Sequence, residues 1–251
     1  MHNLFDLSGR VALVTGANTG LGQAIAIALA AAGADIAAAG RSDSSATAAR
    51  VHAAGRRFHA VAADLSRQAQ LAGVVDQALA AFGRLDILVN NAGIIRRADA
   101  IDVTEQDWDD VVDTNLKSLF FLSQAAARHM LANGGGKIIN VASLLSFQGG
   151  IRVPAYAASK SGVAGLTHAL ANEWAARGVN VNAIAPGYFA TNNTAALRAD
   201  REREPQILAR IPAGRWGRPD DLAGAAVFLA SAASDYVHGV VLPVDGGWLA
   251  R

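Results

Sequence analysis

Tyr156 and Lys160 stand four residues apart in PAYAASKSGVAGL, and Ser143 lies thirteen positions upstream. Four residues is just over one helical turn, so a helix here projects phenol and ammonium from the same face. A cation held near a phenol favours the phenolate and lowers its pKa. A phenol tuned towards neutrality is a general acid or base. A serine hydroxyl aimed at the same point can hold a carbonyl or an alcohol oxygen. The trio suits interconversion of an alcohol and a ketone, and that chemistry needs a hydride carrier.

A site for such a carrier is legible near the start of the chain. Val11–Thr15 reads as a strand and runs directly into GANTGLG, then into a helix pattern. Glycines let the backbone turn sharply and let a pyrophosphate approach, while a helix start offers free N–H groups and a favourable dipole. Gly16, Asn18, Thr19, Gly20, Leu21 and Gly22 are therefore candidate dinucleotide contacts, in the spacing G-x-x-x-G-x-G. The end of the second strand should meet the adenosine ribose. A carboxylate there would bond a 2′-hydroxyl, and an arginine would welcome a 2′-phosphate. The sequence AAAGRSDS offers Gly40 and Arg41, which leans towards NADP, with Asp43 close by.

The elements that must position these residues alternate along the chain. Continuous apolar runs at Val11–Thr15, Asp35–Gly40, Phe58–Ala62, Ile87–Asn90, Lys137–Ala142, Val179–Ile184 and Val240–Val244 predict strands of a parallel sheet covered on both faces. Helices are expected at Leu21–Ala32, Ser44–Ala54, Gln68–Phe82, Glu105–Leu131, Ala155–Arg177 and Asp220–Ala230. The alternation predicts one doubly wound α/β domain over residues 1–251. Thr191–Arg215 is polar, lacks a strand pattern and interrupts the alternation. It reads as a lid over a site, or as a surface insertion.

With TGANTGLG, Asp64, NNAG at Asn90–Gly93, Asn115, Ser143, Tyr156-x-x-x-Lys160 and Pro186-Gly187 in this order, the chain resembles the short-chain dehydrogenases/reductases from Val11 to Gly247. The resemblance implies a Rossmann-like three-layer sandwich with a seven-stranded parallel sheet, an NAD or NADP cofactor and a homotetramer. It implies that Tyr156 is the general acid/base, that Lys160 lowers the phenol pKa and binds the nicotinamide ribose, and that Ser143 orients the substrate oxygen. It places Asn115 in a water-mediated proton relay to Lys160. Asp64 and Leu65 would lie at the adenine, and Asn91, Ala92 and Gly93 at the adenosine ribose. Pro186, Gly187, Phe189 and Thr191 would hold the carboxamide and phosphates.

Segments outside these motifs, among them NNAGIIRRADA, SLLSFQGGIRVPAYAASKSGV and VDGGWLAR, resemble members of the family that act on deoxy sugar acids. Those members are usually linked to NAD(H), against the lean of Gly40-Arg41. A sugar acid needs a cation for its carboxylate and donors for its hydroxyls, and a guanidinium can grip a carboxylate through two parallel bonds. Arg96, Arg97, Arg152 and Gln148 all fall near the carboxyl ends of strands. Arg97 and Gln148 are the preferred substrate contacts, with Ser143 and Tyr156 at the reacting oxygen. Trp216 could cover the site or pack the 191–215 segment onto the sheet.

Two rival functions stand beside this one: a reductase of 3-oxoacyl thioesters or other ketones on the same fold, and a dinucleotide-binding protein without turnover. Composition narrows the field further. A formal net charge of +1 with no basic run gives no reason to expect a nucleic-acid partner. Cysteine is absent and the six histidines have no paired spacing, so no metal is expected in catalysis. The start, MHNLFDLSGRVALVT, has no leader pattern, and the Ala-rich apolar runs are broken by Gly and Asp. A cytoplasmic enzyme without a membrane span is expected. Apolar surface on more than one face of Glu105–Leu131 and Ala155–Arg177, with the apolar ending GGWLA, points to self-association.

Overall fold

The computed structural model describes residues 3–251, so Met1 and His2, within the segment read for a leader, lie outside it. Seven parallel strands form one sheet: β1 Val11–Thr15, β2 Asp35–Gly40, β3 Phe58–Ala62, β4 Ile87–Asn90, β5 Gly136–Val141, β6 Val179–Pro186 and β7 Val241–Val244. Their order is β3-β2-β1-β4-β5-β6-β7. The winding reverses between β1 and β4, where the carboxyl ends of the strands leave a crevice. Every residue of β1, β4 and β6 is buried, which explains why these strands are largely apolar, and the buried Asn180 and Asn182 of β6 both donate to the Val237 carbonyl.

Helices cover both faces. Ala12 and Val14 face the layer built by α1 Gly20–Ala31, α2 Ser45–Ala53 and α9 Ala223–Ala230. Leu13, between them, faces the layer built by α3 Gln68–Phe82, α5 Ser118–Ala132 and α6 Pro154–Trp174. This is the strand's two-residue alternation sorting one sequence into two cores. The doubly wound three-layer architecture expected from the sequence is the one found.

Two elements differ from expectation. The single helix expected at Glu105–Leu131 is α4 Glu105–Val112, a π turn at Asp113–Lys117, and then α5. The segment Thr191–Arg215, which carries no strand pattern, is largely helical, with α7 Ala195–Ala199 and α8 Arg203–Arg210. Its apolar side belongs to a small separate cluster. Leu144, Ile207, Ile211 and Trp248 are buried there, with Tyr188, Leu197, Leu208, Trp216 and Leu249 packed against them. The expected strand Lys137–Ala142 runs one residue earlier, and β6 extends two residues further than expected. No helix among the described residues is long and apolar enough to cross a membrane.

Candidate active site

The chain leaves β1 through Gly16 and Gly20, both at left-handed φ of 65° and 59°. A Cβ on Gly22 would collide with the Gly16 carbonyl and the Asn91 amide. Thr19 at the start of α1 makes no side-chain cap, and the first turn holds no acidic residue. The amide groups of that turn are thus left for an anion. The NNAG loop is fastened to this turn. Thr15 Oγ1 accepts from Asn91 N at 2.9 Å and Ala92 N at 3.0 Å, while Asn91 Nδ2 donates to the carbonyls of Thr15 at 2.9 Å and Gly16 at 3.2 Å. Thr15 is a positioning residue that motif spacing alone did not single out. A bare glycine cradle at an open helix start is what a dinucleotide pyrophosphate needs, so the residues present fit such a cofactor.

At the adenosine end Arg41 is exposed on the crevice wall and forms no ion pair among the described residues. Asp43, its possible competitor, is occupied, because its carboxylate takes Ser45 N at 3.0 Å and Ser45 Oγ at 2.6 Å to start α2. Asp64 is held below the usual carboxylate range mainly by the Ser66 hydroxyl, with Arg41 and Arg67 adding to this. No free carboxylate stands where a 2′-hydroxyl would be read.

At the other end, α6 carries Tyr156 and Lys160 on one face, with the Lys160 nitrogen 5.7 Å from the Tyr156 ring centre. Lys160 is only 4% exposed and donates to the Val141 carbonyl at 2.6 Å. Burial pulls its pKa down to about 8. Ser143, just past β5, has extended backbone, and its Oγ accepts from Leu145 N at 3.2 Å. Burial raises the Tyr156 pKa, opposed by a hydrogen bond from Ser143 and by the charge of Arg97. Lys160 was expected to lower the phenol's pKa; the net direction is upward, because burial outweighs the Ser143 hydrogen bond and the charge of Arg97.

Asn115 sits within the π turn, a helix defect common at functional sites. Its side chain is consumed locally: Oδ1 accepts from Ile94 N at 2.8 Å and Nδ2 donates to Ile94 O at 2.9 Å. It therefore clamps the strand exit that follows NNAG. Ser159 Oγ, donating to Tyr156 O at 2.8 Å, lies 3.4 Å from Asn115 Nδ2 and joins the two elements.

The glycine turn, the NNAG loop, Arg41, Ser143, Tyr156 and Lys160 border one cleft of about 880 Å³. Every cofactor and substrate position expected from the sequence lines it except Gly22, which is buried behind the wall, and Asn115 is likewise buried behind it. The arginines separate. Arg96 pairs with Asp107 and Asp110, and Arg152 pairs with Asp99 at 3.0 Å. Arg97 has no ion pair among the described residues and lines the cleft. Gln148 Oε1 accepts from Trp248 Nε1 at 3.3 Å. Trp216 packs edge-on against Tyr188 and donates to Glu204 at 3.3 Å, outside the cleft lining. Arg203, Gln206 and Arg210 of α8 also line the cleft, and sequence reasoning missed them. Their spacing on one helix face was the available signal. Among the described residues no group of three or more metal-ligating side chains is assembled.

A Rossmann-like sheet with a Tyr-x-x-x-Lys helix beside a glycine cradle defines a class of nicotinamide-dependent oxidoreductases. Residues 16–249 match the family model described as enoyl-(acyl carrier protein) reductase. The chain belongs to this family, the short-chain dehydrogenases/reductases. It is 61% identical over 248 residues to 2-dehydro-3-deoxy-D-gluconate 5-dehydrogenase of Escherichia coli K12, covering 98% of each chain. A protein of the same description from Dickeya dadantii is 61% identical over 250 residues, covering 99% of each. A solved Agrobacterium tumefaciens structure with bound NADP, provisionally described as a 2-deoxy-D-gluconate 3-dehydrogenase, is 61% identical. It covers 100% of both chains with a TM-score of 0.94.

Proposed function

We propose that the chain is an NADP-preferring dehydrogenase of a deoxy sugar acid, of the 2-dehydro-3-deoxy-D-gluconate 5-dehydrogenase type. The observation that carries this is the convergence of Ser143, Tyr156 and Lys160 with the glycine cradle on one cleft. The names of the relatives support the substrate class. The cofactor, when bound, supplies the acceptor or donor of hydride. Ser143 donates a hydrogen bond to the substrate oxygen. In oxidation the Tyr156 oxygen takes the hydroxyl proton as hydride leaves the same carbon; in reduction it returns that proton. Lys160 favours the phenolate by its charge. Asn115 holds the turn from which a water can link Lys160 to solvent. Arg97 and Gln148 contact the substrate from the cleft wall. The preference for NADP rests on the unpaired Arg41 and the engaged Asp43. Thr191–Arg215 acts as a lid, and the enzyme works as a cytoplasmic homotetramer.

The description of the family model keeps a thioester reductase as the rival. Steady-state assays of 2-dehydro-3-deoxy-D-gluconate and a 3-oxoacyl thioester with NADP(H) and NAD(H) separate the two. Turnover of the sugar acid, fastest with the phosphorylated cofactor, is expected. Tyr156→Phe is expected to lower kcat by about 10²- to 10⁴-fold while NADPH affinity stays near wild type. Exclusive turnover of the thioester would overturn the substrate, and undiminished turnover in Tyr156→Phe would overturn the site.

A further inference from the structure

The lid helix carries a cationic stripe that the shared catalytic machinery does not use. Arg203, Gln206, Ile207 and Arg210 stand at one-, four-, five- and eight-residue positions of α8 and all line the cleft. This is one face of a helix. Neither Arg203 nor Arg210 has an ion pair among the described residues. Arg210 is held in place without one, its guanidinium carbon 3.9 Å from the ring centre of Trp248. Stacking occupies the face of the guanidinium and leaves its in-plane N–H groups free to donate. Trp248 is itself 4% exposed and anchored to Gln148, and Tyr188 packs on it at 4.7 Å. The end of the helix is tied down again by Arg251, which donates to Ala209 O at 3.0 Å.

We propose that Arg203 and Arg210 form the subsite that binds the substrate's carboxylate, where α8 lines the cleft. This rests on the sugar-acid reading above and deepens it. Arg203 and Arg210 reach the cleft from α8, whereas Arg97 reaches it from the segment after β4. The apolar cluster that seats α8 includes Leu144, next to Ser143. Seating the carboxylate therefore steadies the segment that carries the serine.

The test compares 2-dehydro-3-deoxy-D-gluconate with its uncharged primary amide in wild type, Arg203→Met, Arg210→Met and Arg210→Lys. Each Met variant is expected to raise KM for the acid at least tenfold, with kcat within threefold of wild type. KM for the amide and the Kd of NADPH are expected to stay unchanged. Arg210→Lys keeps the charge but not the fork and is expected to fall between. Equal KM changes for acid and amide, or no change for the acid, would each overturn the assignment while leaving a sugar-acid enzyme. A wild type inert towards every sugar acid would overturn the proposed function itself, and this subsite with it.

Discussion

Lys160 is a charge placed where a protein interior resists one. It is 4% exposed, has no ion pair among the described residues and donates to the Val141 carbonyl at 2.6 Å. Its pKa falls from 10.5 to about 8 because burial penalises the ammonium. At neutral pH that corresponds to a folding penalty of order 3 kcal/mol, by linkage. The depressed value means that the unfolded chain binds more protons than the folded one between the two pKa values. The penalty is therefore full below pH 8 and relieved as pH rises towards the unfolded value. Lys160→Met removes the titration. The Tm advantage of this variant over wild type is expected to be greatest near neutrality and to shrink as pH rises from 8 to 10, while its turnover is lost at every pH. Differential scanning calorimetry across that range checks the sign, and an advantage that grows with pH would refute the buried-ammonium account. Stability yielded at such a position is expected where a group is kept for chemistry.

The turn between β1 and α1 shows how little space the cofactor cradle leaves. A methyl group at Gly22 meets the Asn91 side-chain amide and also the backbone carbonyl of Gly16, which cannot swing aside. Gly22→Ala is expected to displace the start of α1, lower Tm and raise the Kd of NADPH at least tenfold by fluorescence titration; wild-type affinity would show that the cradle is not the phosphate site. Glycine spacing announces this element in the sequence, as the four-residue interval announces Tyr156 and Lys160, because both depend on local geometry alone. The strands β1 to β4 are legible to the residue, β1, β2 and β4 because burial on both faces leaves mostly apolar residues, whereas the edge strand β3 is only partly buried. The π turn is not legible: DTNLK carries no breaker, and its extra residue is accommodated by packing against α6, where Gly162 lies under Leu116. Helix α8 was hidden because its apolar side is narrow and its partners lie far away in sequence, at Leu144 and Trp248. The upward direction of the Tyr156 pKa was hidden too, because spacing reports the neighbouring cation but not the depth of burial.

Across the whole molecule, the apolar residues left outside the cores mark where a second chain would sit. Within the C-terminal GGWLA, expected to help association, Trp248 is buried in its own chain, under Arg210 and beside Tyr188. Ile101 is 92% exposed and Ile151 81%, with Phe147 and Trp108 also open. Ile101 and Ile151 stand on neighbouring segments, joined by Ala98 N to Arg152 O at 3.2 Å and by the Arg152–Asp99 ion pair. A single exposed isoleucine is ordinary, whereas two on adjoining loops beside a cleft form a patch that water disfavours. If this patch is a subunit contact of the proposed tetramer, charge placed there should cost assembly without touching the catalytic residues. Light scattering at assay concentration is expected to give about four chain masses for wild type, and a smaller assembly for Ile101→Glu combined with Ile151→Glu. The double variant is expected to keep its NADPH affinity, because neither side chain reaches the glycine cradle. A wild type that is monomeric would end the tetramer proposal, and a double variant of undiminished mass would move the contact to another face.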